Sequence, residues 1–124
     1  SRVFASLREA AATAVPQVLA LWVYGSTARG DDKPTSDLDV ILVVNGSDVE
    51  SASSAYRDTL SDIIDAERVS LSVVGLSADD VRRLARDRDL WWRNLVSDAQ
   101  PLIGRSPEDL AAALTLPKGR KRVA

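Results

Sequence analysis

The stretch LWVYGSTARGDDKPTSDLDVILVV, residues 21–44, contains two apolar segments separated by a polar one. The first segment ends in Gly25 and Ser26, and the second begins with Asp37 and Asp39. Nearly continuous apolar runs of this kind are typical of strands that are buried on both faces of a sheet. The stretch therefore predicts two core strands joined by a polar loop, with the chemically reactive side chains gathered where the loop meets the strands.

Asp37 and Asp39 are the most informative residues of this stretch. Successive side chains of a strand point to opposite faces, so these two carboxylates share a face, about 6.6 Å apart along the strand. Two carboxylates at the mouth of a buried strand repel each other and lose solvation unless a cation neutralises them. Mg²⁺ takes oxygen ligands and is commonly held by one or two carboxylates together with substrate phosphates. The pair therefore predicts a magnesium site.

The residues around the start of the loop favour a phosphate group beside that metal. Gly25 has no Cβ to obstruct the approach of a phosphate, and the Ser26 hydroxyl and the backbone N–H groups after it can donate to its oxygens. Arg29 is a further donor to the same anion. A P-loop is excluded, because Asp31 and Asp32 stand where that motif requires Lys and Ser or Thr.

Each of these features also has a plain structural explanation. Gly25 and Ser26 can form an ordinary turn at the end of a strand, and Ser36 and Asp37 can form a turn after Pro34. A lone acid–apolar–acid sequence is weak support for a metal site. The order and separation of the two parts, in a strand–loop–strand setting, favour the binding site over these explanations.

The segments GSTARG and SDLDV together resemble the signature of the DNA polymerase beta-like nucleotidyltransferase superfamily, and the chain length resembles that of its small bacterial members, the minimal nucleotidyltransferases. The resemblance implies an enzyme that uses two Mg²⁺ ions to attack the α-phosphorus of ATP or another nucleoside triphosphate. By resemblance, Asp37 and Asp39 bind the ions, and Gly25 and Ser26 hold the β- and γ-phosphates. Arg29 is added to the nucleotide site from its charge and position.

The chain departs from the family pattern at a third acid. Many members carry this carboxylate on a later strand beside the first two. Here the polar face of that predicted strand carries Ser70 and Ser72, and Ser70 is the position that we favour for the missing acid. Asp65 and Glu67 precede the strand, and their odd-numbered positions would alternate with those of Ser70 and Ser72, so they do not share a face with these serines. Two interpretations stay open, an active transferase and a nucleotide-binding relic that is weak or inactive.

The resemblance also suggests a protein partner. Minimal members of the family are often antitoxins that pair with a helical toxin of the HEPN class, and some transfer AMP to a toxin side chain. Trp91 and Trp92 bear on this, because adjacent helical residues project about 100° apart. One is expected in the core and the other is free to anchor a partner, unless both are packed. An antitoxin that acts by contact alone is the alternative function, and aminoglycoside modification is less favoured in so short a chain.

Composition and length limit the remaining possibilities. The chain has 124 residues and a net charge of −2, so we expect one domain over residues 1–117 and a flexible basic tail over residues 118–124. Cysteine and histidine are absent, which excludes disulfides, thiol nucleophiles, histidine bases and the usual zinc sites. The charge does not favour nucleic acid, the longest apolar run is too short to span a membrane, and the lack of cysteine fits a cytoplasmic protein.

Apolar periodicity and turn residues predict the element order α-β-β-α-β-α-β-α. The predicted segments are residues 3–15, 18–24, 37–44, 47–66, 69–74, 77–96, 101–104 and 106–116. Ser47, Ser77 and Ser106 mark helix starts, and Gly75 is expected to end the third strand. This order predicts an α/β fold, a small mixed sheet with helices packed on it, which is also the fold type that the nucleotidyltransferase resemblance implies.

Overall fold

The structure, a computed structural model, describes residues 2–25, 37–46, 48–64 and 70–116. The elements in chain order are α1 (Arg2–Ala14), β1 (Val18–Gly25), β2 (Asp37–Val44), α2 (Val49–Ile64), β3 (Ser70–Ser77), α3 (Ala78–Asp87), α4 (Leu90–Asp98), β4 (Gln100–Ile103) and α5 (Pro107–Leu114). Four strands form one sheet in the order β3-β2-β1-β4. β2 pairs with β1 antiparallel and with β3 parallel, and β4 pairs antiparallel with the other side of β1. The predicted mixed sheet with packed helices is confirmed.

Helices cover both faces of the sheet. On the face that we call the first face, α1 and α2 pack against alternate residues of β2, including Leu38, Val40 and Leu42. On the second face, α3, α4 and α5 pack against the intervening residues, among them Ile41 and Val43. Alternate burial on two helical layers explains why these strands are apolar at nearly every position.

Trp22, on the second face, has the largest of the fully buried side chains among the described residues. Its ring meets that of Trp92 edge-on, with centroids 5.9 Å apart and planes at 65°, and its indole N–H donates to the carbonyl of Arg105 at 2.8 Å. Buried tryptophans are stable in a core when the N–H has such an acceptor. Trp92 is buried and Trp91 is partly buried against the same cluster, so both tryptophans pack on the core, and a role of Trp91 in anchoring a partner stays a prediction.

The helix predicted from residue 77 through residue 96 is two helices. α3 ends at Asp87, Arg88 adopts a left-handed conformation with φ 51°, and the Asp89 side chain caps α4 by accepting from two backbone N–H groups of its first turn. Non-glycine residues rarely adopt positive φ, so apolar periodicity alone does not reveal this break. The break reorients the chain so that α3 and α4 pack on the second face as separate helices.

Gly75 lies inside β3 and does not end it, contrary to the prediction. A Cβ at this position would lie 2.1 Å from the Ser53 hydroxyl oxygen and 2.7 Å from a Val49 methyl carbon of α2. The absence of a side chain at Gly75 therefore lets α2 approach the sheet closely. Close approach of another part of the chain is a known reason for glycine inside a strand.

The helix-start signals were informative. Ser77 and Asp80 form the capping box of α3, and Ser106 caps α5 with Pro107 in its first turn. Ser47 lies outside the described residues, and Asp48 accepts a hydrogen bond from the backbone N–H of Ser51 at the start of α2. Among the described residues, no helix has the length and apolar character needed to cross a membrane.

Candidate functional site

The first residues of β2 bring the two predicted metal ligands to the second face. Asp39 lies opposite Tyr24 of β1 on one side and Ser72 of β3 on the other. Asp37 lies beside Ser70, one row further toward the end of the sheet. Paired residues in neighbouring strands share a face, so all five side chains are on one face. We call these five residues the acid ledge.

The two acids of the ledge differ in exposure. Asp37 and both serines are exposed, whereas Asp39 is half-buried. Burial raises the pKa of the Asp39 carboxyl above its ordinary value, and the negative charge of Asp37 raises it further. Proximity of a like charge and desolvation both disfavour the carboxylate form, and a bound cation opposes both effects. The electrostatics of the ledge therefore suit a divalent cation.

Gly25 fixes how closely the end of β1 approaches the start of β2. Its φ is +126°, and a Cβ built on it would lie 3.0 Å from the carbonyl oxygen of Asp37. An L side chain is strained in this backbone conformation and crowded by that oxygen. Glycine is therefore required here by the backbone itself, and its role in holding a phosphate stays a prediction.

Two of the predicted nucleotide-binding residues, Ser26 and Arg29, lie outside the described residues, as do Asp65 and Glu67. Their assigned roles stay predictions. The described part of the chain brings together Gly25, Asp37 and Asp39, three of the five residues assigned to the site from sequence.

A third carboxylate does not join the pair within the described residues. Ser70 and Ser72 occupy the β3 positions beside Asp37 and Asp39. No group of three or more acidic side chains that could hold a metal ion is found in residues 2–25, 37–46, 48–64 and 70–116. The described donor set is thus two carboxylates with two serine hydroxyls next to them.

Tyr24 is a ledge residue that sequence reasoning missed as a site component. Its ring is half-buried and packs at the margin of the second-face cluster, directly across from Asp39. Trp22 and Tyr24 are two residues apart on one strand, so the sequence alone predicts that both rings lie on the same face. The pairing with Asp39 depends on the strand register, which the sequence does not specify.

A cavity of about 430 Å³ lies away from the acid ledge. It opens on the first face between the end of α1 and the start of α2, and its lining includes Val15, Val44, Asp48 and Ala52. Val44 is the last residue of β2, whereas the acids are at the strand's beginning. The cavity therefore belongs to the opposite end of the sheet and contains none of the predicted site residues.

The model of the nucleotidyltransferase domain family matches residues 5–98, which is 94 of the 124 residues and includes the whole ledge. The chain belongs to the nucleotidyltransferase domain family. A comparison with curated proteins gives no significant match.

Solved structures with the same fold come from toxin–antitoxin complexes. A toxin–antitoxin complex with AMP-PNP aligns with a TM-score of 0.60 and 16% identity, over 90% of this chain and 82% of the other. A variant of the MntA–HpeT complex gives 0.59 and 11%, over 90% and 82%. The tri-AMPylated Shewanella oneidensis HEPN toxin in complex with MNT antitoxin gives 0.53 and 14%, over 90% and 80%. At these identities the likeness shows the fold.

Proposed function

We propose that this protein binds a nucleoside triphosphate, ATP in the first instance, together with Mg²⁺, and transfers the nucleoside monophosphate to a hydroxyl group of an acceptor. One observation carries the proposal. Asp37 and Asp39 lie on one face at the start of β2, next to the glycine end of β1, in a chain of the nucleotidyltransferase domain family.

The chemistry of the ledge fits a divalent metal. Asp37 and Asp39 offer carboxylate oxygens, the ligand type that Mg²⁺ prefers, and the half-buried position of Asp39 strengthens its interaction with a cation. When bound, divalent ions would stabilise the charge on the attacking and leaving oxygens of the transfer. In the described part of the site, Asp37 and Asp39 are the two carboxylates that could bind the two ions expected from the family.

The protein's own residues would bind and orient the triphosphate. Gly25 and Ser26 would hold the β- and γ-phosphates through backbone N–H groups and the serine hydroxyl, and Arg29 would donate to the same oxygens. The acceptor oxygen would then attack the α-phosphorus and release its proton to solvent, while the bond between the α-phosphorus and the β-phosphate oxygen breaks and pyrophosphate leaves. Positioning of this kind supplies a large part of the rate enhancement in phosphoryl transfer.

For the acceptor we propose a hydroxyl side chain of a helical HEPN-type toxin, which makes this protein the cytoplasmic antitoxin of a pair. Support comes from structures that share the fold, one a toxin–antitoxin complex with AMP-PNP and another an AMPylated HEPN toxin with its MNT antitoxin. A single domain over residues 1–117 would carry this function, with residues 118–124 as a basic tail.

The test compares the wild type with the double variant Asp37→Asn/Asp39→Asn. Titration of ATP with and without Mg²⁺ is followed by calorimetry, and transfer to a purified HEPN toxin is followed with α-³²P-ATP. We expect Mg²⁺-dependent ATP binding and labelling of the toxin by the wild type, and the loss of both in the variant. Asp58→Asn/Asp62→Asn, which removes the same charge from exposed positions of α2, is the matched control. ATP binding that survives in the ledge variant would refute the proposal.

A second candidate function is an antitoxin that neutralises its partner by contact alone. The observation that favours it is the pair of serines, Ser70 and Ser72, beside Asp37 and Asp39, where the resemblance implies an acid in many family members. This candidate predicts that the wild type and the ledge variant bind the toxin equally and that neither transfers a label. Labelling by the wild type alone, with equal toxin binding by both, decides for the transferase.

A further inference from the structure

The register of β3 on β2 divides the acid ledge into two rows. The inner row contains Tyr24, Asp39 and Ser72 on three neighbouring strands. Among the described residues, the outer row contains Asp37 and Ser70, and the described part of β1 reaches Gly25, opposite Leu38. A side chain at position 72 therefore belongs to a row that continues across β2 and β1, whereas the described part of the row at position 70 ends at Asp37.

We propose that Ser72 occupies the place of the third metal ligand, and that this serine makes the acid ledge bind divalent metal firmly only when a triphosphate completes the ligands. The inference deepens the proposed function and rests on it. It concerns the described residues, where Asp37 and Asp39 are the carboxylates that lie beside Ser70 and Ser72.

We assign the third ligand to position 72 rather than to position 70, which the sequence favoured, because the row partner of position 72 is more buried. Neighbouring strands are about 4.8 Å apart, so an acid at either position lies that far from its row partner and about 8 Å from the other aspartate. Distance alone does not separate the two. Asp39, the row partner of Ser72, is half-buried, whereas Asp37, the row partner of Ser70, is exposed. A cation bound among less solvated carboxylates is screened less and held more tightly.

A serine hydroxyl is a weak substitute for the carboxylate. It is neutral and leaves the charge of a bound divalent cation balanced by the two aspartates alone, whereas ligand charge tunes the affinity of such sites over several decades. The triphosphate supplies the missing anionic oxygens. Metal binding without nucleotide should therefore be weak in the wild type and should improve when an acid is installed in the inner row.

The experiment installs one carboxylate in each row. Ser72→Asp and Ser70→Asp add the same charge two residues apart on one strand face, so their general electrostatic effects match. Mn²⁺ is titrated by calorimetry into the wild type and both variants without nucleotide, and the ATP·Mn²⁺ complex is titrated in parallel. We expect Ser72→Asp to tighten Mn²⁺ binding on the order of tenfold or more, and Ser70→Asp to tighten it clearly less.

Equal gains in the two variants, a larger gain for Ser70→Asp, or wild-type Mn²⁺ binding as tight as that of Ser72→Asp would overturn the inference. The last result would mean that another group already supplies the third ligand. Failure of the wild type to bind ATP·Mn²⁺ would overturn the proposed function instead, so the two failures are distinguishable. If three carboxylates unfold the metal-free Ser72→Asp variant, the rise of its Tm with Mn²⁺, compared with that of Ser70→Asp, gives the same measurement.

Discussion

The two halves of the second face, built by the same three neighbouring strands β1, β2 and β3, have opposite chemistry. In the covered half, Trp22, Ile41 and Val74 form one row under α3, α4 and α5, and every one of them is apolar. In the next row outward, two residues along each strand, Tyr24, Asp39 and Ser72 are an aromatic, an acid and a hydroxyl.

The difference shows how the fold produces a site without a dedicated scaffold. On the first face, β2 is buried from Leu38 to Val44 because α1 and α2 pack along it. On the second face, burial is complete at Ile41 and only partial at Asp39. A strand can thus be anchored by one of its faces while the other carries charge, and the rigid anchor keeps the two carboxylates in place.

A large-to-small substitution in the core of the covered half should have the largest effect on stability. Trp22→Ala removes a fully buried ring, its edge-on contact with Trp92 and its hydrogen bond to the Arg105 carbonyl. We expect the free energy of unfolding, measured by urea titration, to fall by about 3–5 kcal/mol. Trp91→Ala removes the same side chain from a partly buried position of α4 and should cost clearly less. Equal losses would mean that α4 does not hold the second face in the way described.

A smaller loss is expected where the covered half gives way to the acid ledge. Gly25→Ala places a Cβ 3.0 Å from the Asp37 carbonyl oxygen in a backbone conformation with φ +126°. We expect a loss of about 1–3 kcal/mol in the free energy of unfolding, together with weaker Mg²⁺·ATP binding, because the start of β2 must move.

Gly46→Ala is the control for this variant. Its Cβ would meet only the side-chain amide oxygen of Gln17, at 2.8 Å, and the end of that exposed side chain can turn away. A Gly46→Ala loss as large as that of Gly25→Ala would show that the close approach of β1 and β2 is not what requires glycine at position 25.

The same contrast explains how much the sequence could predict. The covered half follows from local patterns: apolar runs over residues 18–24 and 37–44 mark core strands, and Ser77 and Ser106 mark helix starts, because each signal acts within a few residues. The family was predicted from the resemblance of GSTARG and SDLDV to a known signature, and the fold class from the element order that apolar periodicity and turn residues indicate.

What the sequence could not supply is non-local. The pairing of Asp39 with Tyr24 and Ser72 depends on how three strands slide past one another, and a slip of one residue would reverse every face. The break at Arg88 depends on a backbone conformation that arginine rarely adopts. The role of Gly75 was also missed, because glycine is required there by the close packing of α2 on the sheet, which is a feature of the tertiary fold.

The smallest effect expected is the pH dependence that Asp39 confers. Burial and the charge of Asp37 raise its pKa in the folded protein above the ordinary value of 3.8. In the window between 3.8 and the raised value, the folded state binds more protons than the unfolded state, so the contribution of Asp39 to stability falls as the pH rises through that window. At neutral pH the carboxylate therefore destabilises the metal-free protein.

Asp39→Asn should consequently be more stable than the wild type at neutral pH, and its advantage should shrink as the pH falls toward 3.8. The difference between the two urea titration curves at each pH isolates Asp39 from the other acids. In the Asp37→Asn background the same difference should be smaller but not zero, because the charge of Asp37 is gone while the burial remains. Saturating Mg²⁺ should reverse the sign at neutral pH, since the cation stabilises the charged form that the sheet alone disfavours. A stability advantage of Asp39→Asn that is independent of both pH and Mg²⁺ would mean that the charge of the half-buried carboxylate is not what destabilises the metal-free protein.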